Sequence, residues 1–291
     1  MTDRDRMVLG RRGLIGGAVS LAAAAGFGPA ESAAAPQPEL WDRWLAHDPQ
    51  STTEMDDTDW TAWLADHRHV DGQGVARIDY RAAVVDRDRI ARIIDRWRTF
   101  DVDAFSRPSQ FAYWVNLYNI VTIDTVLAAY PVDSIRDIDI SPGLFANGPW
   151  GAKLVAVKGE DLSLDDIEHR ILRPIWNQDP RIHYAVNCAA VGCPNLAPVG
   201  FTVANSETLL EAGARAYVND PRGVDVRGRS LIVSTIYRWF DEDFGGSQAG
   251  VLDHLRHYAA PALASQLQGR RDYDRTHYDW DLNDQARSRA A

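Results

Sequence analysis

The chain has 291 residues, of which 45% are hydrophobic, and a formal net charge of −10. This composition is typical of a globular protein that buries a substantial core in one large or two small domains. Because the acidic chain has no cluster of basic residues to neutralise phosphates, we expect no nucleic-acid partner.

Residues 1–35 have the pattern of an export signal peptide. Arg11 and Arg12 precede an apolar run from Leu14 to Phe27, and small residues follow. Paired arginines are typical of a twin-arginine signal, with cleavage near Ala34, and general secretion is the alternative route. A membrane anchor is disfavoured because the apolar run is short and interrupted by glycines. We therefore expect an exported protein, periplasmic or extracellular, without a membrane span after the signal is removed.

Residues 36–100 predict a helical cover for the rest of the chain. Tryptophans and leucines recur at helical spacing around Trp41 and again around Trp60, as in amphipathic helices. A short strand is predicted over 75–80 and a surface helix over 84–99.

Residues 111–130 predict a helix that is buried on every side, because apolar residues cover its whole circumference. Pro131 ends it. Asn116 and Asn119 lie three residues apart on one side, and a buried amide without partners costs roughly 1–3 kcal/mol. These amides can orient a catalytic group or bind a neighbouring backbone segment, which is the commoner use.

A further helix is predicted to begin at Ser163, a suitable N-cap. At about 100° per residue Glu168 falls inside its apolar face. The outward side holds Asp166, Arg170 and Arg173. A buried carboxylate is either paired or has a raised pKa, and both conditions recur in active sites. Glu168 is therefore a candidate catalytic residue, with a structural ion pair to an arginine as the alternative.

Both cysteines of the chain lie in residues 182–196. The first part predicts a short strand, whose alternation places His183 on one face and Cys188 on the other. Cys193 lies in a loop with glycine and proline that can turn back toward His183. An imidazole that takes the proton of Cys193 gives a reactive thiolate. In an exported protein the alternative is a disulfide between the two cysteines.

The remaining predicted elements are a helix over 206–219, a hairpin over 224–233, a helix from Ser234 with Asp243 on its apolar face, a helix over 251–267 broken near Pro261, and a strand over 277–282. Residues 284–291 are expected to be a disordered tail. Together the elements predict an α+β fold, with a single globular domain in which the buried central helix packs on a small, mostly antiparallel sheet.

Several motifs, in this order, resemble those of the family called domain of unknown function 547: FAYWVNLYN at 111–119, DIEH at 166–169, RIH at 181–183 leading to Asn187-Cys188 and Gly192-Cys-Pro194, STIYRW at 234–239, and YDWDLN at 278–283. The resemblance supports a core domain over 101–283. Gly192 departs from the pattern, since a serine is expected there. The activity of this family is not established, so the resemblance implies a shared domain and no reaction. The buried helix, sheet and Cys/His/acid set suggest a papain-like or transglutaminase-like arrangement, an analogy that assigns no function.

The first functional hypothesis is a thiol-dependent hydrolase or acyl transferase that acts on a peptide, amide or ester bond. Cys193 is the predicted nucleophile and His183 the base. Glu168, Asn116 or Asn119 would orient the imidazole. The partner would be an unknown small-molecule or peptide substrate.

The alternative hypothesis is a non-catalytic exported binding domain with a structural disulfide between Cys188 and Cys193. Zinc is disfavoured, because the histidines and cysteines fit none of the common ligand spacings. We therefore expect no metal and no cofactor. For the thiol enzyme, backbone amides of the loop at Gly192 are the predicted oxyanion donors.

Overall fold

The computed structural model describes residues 36–143 and 147–288. The predicted export signal, residues 1–35, lies outside the described residues. Within the described ranges, no helix combines the length and apolar character needed to cross a membrane.

The helices and strands are labelled in chain order. The α-helices are α1 (Thr58–His67), α2 (Tyr80–Ala83), α3 (Arg87–Trp97), α4 (Arg107–Ala129), α5 (Arg173–Ile175), α6 (Ile182–Ala185), α7 (Ser206–Val218), α8 (Ile236–Trp239), α9 (Gln248–Tyr258), α10 (Pro261–Leu267) and α11 (Gln285–Ser288). The strands are β1 (Arg68–Val70), β2 (Ala76–Ile78), β3 (Val155–Val157), β4 (Glu160–Leu162), β5 (Val224–Arg227), β6 (Ser230–Ser234) and β7 (Arg275–His277). A π-helix spans Asp166–Leu172, and 3₁₀ turns span Asp42–Leu45, Val84–Asp86, Val102–Ala104 and Ile135–Asp137.

Helix α4 is the central element, and its burial confirms the prediction. The side chain of Ser106 caps its start by accepting the backbone N–H of Ser109. The helix ends at Ala129, shortly before Pro131, which has no N–H to continue the hydrogen-bond ladder. Nearly every side chain between these ends is buried, so neighbouring segments must cover the helix on all sides.

The segment before α4 supplies much of this cover. The indoles of Trp44, Trp60, Trp63 and Trp97 are at most 1% exposed and belong to the same apolar cluster as α4. Trp44 meets Trp114 of α4 edge to face, with ring centroids 4.9 Å apart. Indoles remove large apolar areas from water, so this packing is a main source of stability for the domain.

The sheets are small and mostly antiparallel. Strands β1 and β2 form one antiparallel pair, and β3 and β4 form another. In the third sheet β6 pairs antiparallel with β5 and parallel with β7. The α+β prediction is confirmed at this level, whereas the papain-like or transglutaminase-like analogy stays a prediction.

A second apolar cluster lies around this third sheet. It joins Tyr184, Tyr217 of α7, Tyr237 of α8 and Leu252 of α9 to the inward face of β6. The described residues nevertheless belong to one compact unit. The residues between α6 and α7, which include both cysteines, contribute Val186, Ala189, Leu196 and Phe201 to the cluster around α4.

Three predicted segments differ in the structure. Residues 182–187 are not a strand, since 182–185 form α6, whose end is closed by the Val186 N–H donating to Ile182 O at 3.1 Å. A short apolar run does not distinguish a helix from a strand. Of the strand predicted at 277–282 only His277 lies in a strand, at the end of β7, so the prediction is wrong for the residues that follow. The first part of the predicted disordered tail is helical in α11.

Candidate functional site

The two cysteines form the centre of the candidate site. The Sγ atoms of Cys188 and Cys193, called the thiol pair below, are unbonded and lie 2.8 Å apart. Cys188 is partly exposed and Cys193 is buried. The hydroxyl of Tyr278 lies 3.0 Å from the Cys188 sulfur. A disulfide needs a separation of about 2.05 Å, so a small movement would bring the sulfurs to bonding distance.

The side chain of Asn187 shapes the loop that holds the thiol pair. Its amide donates to Pro194 O at 2.7 Å, and its oxygen accepts the Ala189 N–H at 2.9 Å. Ala189 has a φ of 61°, which is uncommon for a residue other than glycine. The hydrogen bond from Ala189 to Asn187 holds this strained backbone next to Cys188.

The two thiols have different acidities. Burial raises the pKa of Cys193, but hydrogen bonds from the Cys188 thiol, the Tyr278 hydroxyl and the Cys188 backbone together lower it below its usual value. The Cys188 N–H lies 3.0 Å from the Cys193 sulfur. The hydrogen bond to Cys193 and burial raise the pKa of Cys188. Cys193 is therefore the more acidic thiol of the pair.

A buried ion cluster forms around His183 of α6. His183 places Nε2 2.7 Å from Asp243 Oδ2 and Nδ1 3.4 Å from Glu168 Oε1. Arg173, which is fully buried, donates to both carboxylate oxygens of Asp243 at 2.6 and 3.0 Å. We call Glu168, Arg173, His183 and Asp243 the ion cluster. The His183 ring stacks on Phe240 with centroids 4.0 Å apart.

The charges of the ion cluster fix its protonation. Burial opposes ionisation of Asp243, but His183 and Arg173 lower its pKa to about 2. Burial also opposes ionisation of Glu168, whose pKa is lowered to about 2 by His169, His183 and Arg173. Burial lowers the pKa of His183, but the two carboxylates raise it above its ordinary value. Because both ring nitrogens of His183 face carboxylates, neither is free to take a proton from a thiol.

The π-helix positions Glu168 and Arg173 in this cluster. Its i→i+5 bonding advances each residue by a smaller angle than an α-helix does. The prediction that Asp166 and Arg173 point outward is therefore wrong, and both are buried. Asp166 accepts the Ser163 N–H at 2.8 Å, and the carbonyl of His169 accepts the N–H of Glu39 at 2.9 Å. The segment near Glu39 thus covers the π-helix.

Residues 102–218 match the family model described as "Protein of unknown function, DUF547". This segment is a DUF547 domain. It contains α4, the π-helix, the thiol pair and α7, and the predicted family is confirmed. No curated protein and no solved structure matches the chain.

The DUF547 domain brings some of the predicted site residues together and separates others. Glu168 lies beside His183, as the sequence suggested. Both nitrogens of His183 face carboxylates, so neither faces the sulfur of Cys193. Cys193 instead has Cys188 as its hydrogen-bond partner. The predicted pairing of Cys193 with His183 is therefore absent from the described residues.

The two asparagines of α4 bind backbone segments. Asn116 exchanges two hydrogen bonds with Phe201, at 2.8 and 2.9 Å. Asn119 donates to Ala185 O at 2.9 Å and accepts the Asn187 N–H at 2.8 Å. Both the nitrogen and the oxygen of each amide bind backbone, so Asn119 positions the thiol loop and neither asparagine orients His183.

The loop at Gly192 also differs from its predicted role. The Gly192 N–H donates to Asp279 O at 2.8 Å and the Cys193 N–H to Ala190 O at 3.1 Å, so these amides are not free oxyanion donors. A Cβ on Gly192 would lie 2.7 Å from the backbone nitrogen of Asp279. A serine at this position thus requires a shift of the backbone, which accounts for glycine in this DUF547 domain.

Three residues that define the site are not identified by the sequence pattern. An α-helical wheel places Arg173 outside, and Asp243 stands out only as an acid on an apolar face. Tyr278 belongs to the YDWDLN motif, but no local pattern shows that its hydroxyl reaches Cys188. In the part of the chain that the structure describes, no group of three or more His, Cys, Asp or Glu side chains is arranged to hold a metal ion.

Proposed function

We propose that the DUF547 domain is an exported thiol-dependent hydrolase or acyl transferase that acts on a peptide, amide or ester bond. The observation that carries the proposal is the 2.8 Å contact between the sulfurs of the partly exposed residue Cys188 and the buried residue Cys193, which lets a proton pass between them. A thiolate at hydrogen-bond distance from a thiol can accept its proton. The export part of the proposal is supported by the sequence of residues 1–35.

The accessibilities of the sulfurs assign their roles. Cys188, the more exposed residue of the pair, attacks the acyl carbon through its sulfur while its proton moves to Cys193. The bond to the leaving group then breaks, and the leaving group takes the proton from Cys193. Water or an acceptor cleaves the resulting thioester and regenerates the Cys188 thiol. The proposal thus moves the nucleophile from Cys193 to Cys188, and Cys193 replaces His183 as the base.

The ion cluster has a supporting role in this scheme. His183 belongs to α6, and Cys188 follows that helix after two residues. The contacts of His183 with Glu168 and Asp243 fix α6 against the π-helix and the residues after α8. Holding a nucleophile on a rigid support lowers the entropic cost of reaching the transition state.

Separate substitutions of the two cysteines test the proposal. We expect Cys188→Ser to abolish hydrolysis of 4-nitrophenyl acetate, with loss of the acetyl-enzyme in intact mass spectra. Cys193→Ser should reduce the rate by about 10²- to 10⁴-fold, as for loss of a general base, and shift the pH–rate profile to higher pH. Asn195→Ser, in the same loop, is the control. Turnover that survives Cys188→Ser unchanged would eliminate the assigned nucleophile.

A second candidate is the non-catalytic exported binding domain with a Cys188–Cys193 disulfide. The short separation of the sulfurs favours it, since an oxidising compartment would close the bond. Alkylation of the denatured, unreduced protein discriminates the two functions. Two labelled thiols support the enzyme and none supports the binding domain.

A further inference from the structure

Four partly exposed aromatic side chains form a continuous surface, called the aromatic wall: Trp150, Trp239, Tyr278 and Trp280. The Tyr278 ring lies 4.7 Å from Trp280 and 4.9 Å from Trp239, between centroids. Trp280 lies 5.6 Å from Trp239 and 5.7 Å from Trp150. Each ring therefore contacts at least one other, and all four retain an accessible part.

The surroundings hold these rings in place. The Trp150 ring lies against the backbone of Gly148, where a Cβ would be only 2.1 Å from the ring. Arg136 lies over the Trp280 ring at 5.3 Å, and the hydroxyl of Ser134 donates to Trp280 O at 2.7 Å. Rings fixed in this way lose little freedom when a ligand binds.

The aromatic wall borders the thiol pair. The Tyr278 hydroxyl lies 3.0 Å from the Cys188 sulfur, so a residue of the wall contacts the proposed nucleophile. The backbone of Asp165 donates to Trp150 O at 3.0 Å, which places the start of the π-helix at the other end of the wall. An acyl group bonded to Cys188 would therefore lie beside these rings.

One polar group of the wall lacks a partner. Trp239 Nε1 is buried and has no hydrogen-bond acceptor among the described residues. A buried indole N–H usually has one. The backbone amides of Cys188, Gly192 and Cys193 are already used within the fold. A substrate oxygen near the thiol pair thus finds its donors on the wall and not on the loop backbone.

We propose that the aromatic wall is the acyl-binding site of the thiol enzyme and selects acyl groups that carry an aromatic ring. The inference rests on the proposed function of the thiol pair. The substrate ring packs against Trp280 and Trp150, and its acyl oxygen accepts from Trp239 Nε1 and the Tyr278 hydroxyl. Aromatic rings favour the edge-to-face and offset contacts that such a surface offers. Small acyl groups such as acetyl leave the wall exposed to water and gain nothing from it.

Substrate selectivity tests the inference. We expect kcat/KM for 4-nitrophenyl phenylacetate to exceed that for the acetate by about tenfold or more, after correction for the uncatalysed rates. Trp280→Ala should lower kcat/KM for the phenylacetate and remove most of this preference. Trp239→Phe, which keeps a ring but removes the N–H, should lower the rates for both esters. Trp176→Ala changes a partly exposed tryptophan away from the wall and serves as the control.

A binding experiment separates this inference from the proposed reaction. The double variant Cys188→Ser/Cys193→Ser has no thiol, and we expect it to bind 4-fluorophenylacetate in ¹⁹F NMR titrations but not trifluoroacetate. Trp280→Ala in that background should weaken binding by about tenfold. Binding without any esterase activity in the unsubstituted protein would reject the reaction and retain an aromatic-acid site. Equal rates for both esters together with no binding would show that the aromatic wall does not bind the acyl group. The proposed reaction of the thiol pair would still stand.

Discussion

Asp165 lies next to Asp166 and close to Glu168, and these neighbours control its protonation. Its side chain is 37% exposed, and Nε2 of His169 is 3.8 Å from its Oδ1. Burial and the charges of Glu168 and Asp166 raise the pKa of Asp165 to about 7. Burial lowers the pKa of His169 to about 4, so this imidazole is neutral at pH 7 and offers no compensating charge. Asp165 therefore titrates near neutral pH at one end of the aromatic wall.

The shift predicts a pH-dependent effect of Asp165→Asn on stability. The carboxyl is protonated in the folded protein up to about pH 7 and ionised in the unfolded chain from about pH 4. Folding thus takes up a proton between these values, and the wild-type protein loses stability as the pH rises through this window. Asp165→Asn removes the ionisable group and with it this pH-dependent loss of stability. We expect urea unfolding to show a larger stabilisation at pH 8 than at pH 5.

The exposed carboxylate of Asp161 provides the matched control. Asp161→Asn should change the free energy of unfolding by the same small amount at both pH values. An Asp165→Asn effect that is equal at pH 5 and pH 8 would contradict the raised pKa of Asp165.

The elements that the sequence predicted correctly carry a strong local signal. Helix α4 is apolar over six turns, and the β5–β6 hairpin has a glycine in its turn. Shorter elements were missed, because four residues of α6 carry too little periodicity to separate a helix from a strand. The π-helix was missed because residue type does not report a local change in the angle per residue.

The candidate site was predictable only in its components. Cys193, His183 and Glu168 were identified because thiols, imidazoles and buried acids are few in the chain. Their pairing was not predictable, since His183 contacts Asp243, 60 positions away, and Cys188 contacts Tyr278, 90 positions away. Contacts at that separation depend on tertiary packing, about which local spacing carries no information.

Helix α4 controls the thiol loop through one of its two asparagines. Asn119→Ala removes the bonds to Ala185 and Asn187, so we expect a loss of roughly 1–3 kcal/mol in the free energy of unfolding. The freed loop should also expose the thiol pair, so iodoacetamide should label Cys188 faster. Urea unfolding and timed mass spectrometry measure the two effects.

Asn116→Ala is a matched control on the same helix. It also removes two backbone hydrogen bonds, but these hold Phe201 and not the thiol loop. We expect a similar loss of stability without faster labelling. Equal labelling rates in the two variants would show that Asn119 does not position the thiol loop.

At the scale of the molecule, Arg173 connects parts of the chain that are distant in sequence. It follows the π-helix, whose apolar residues belong to the cluster around α4. Its partner Asp243 precedes Phe244, which belongs to the cluster around β6. Arg173 also donates to Pro36 O at 2.8 Å. One buried guanidinium therefore links the first described residue to both apolar clusters.

This position predicts that Arg173 has a larger effect on stability than other arginines of the chain. Arg173→Met leaves the carboxylates of Asp243 and Glu168 with less compensating charge inside the protein, and breaking a buried pair in this way costs about 3–5 kcal/mol. Arg170→Met is the control, because Arg170 is about a third exposed and its partner Asp166 keeps its bonds to Lys153 and Ser163, so we expect a smaller loss. Urea unfolding followed by tryptophan fluorescence and by circular dichroism measures the loss of unfolding free energy. If the two unfolding curves diverge, the two apolar clusters unfold separately. If Arg173→Met cost no more than Arg170→Met and the curves stayed coincident, the two clusters would be joined by apolar packing alone.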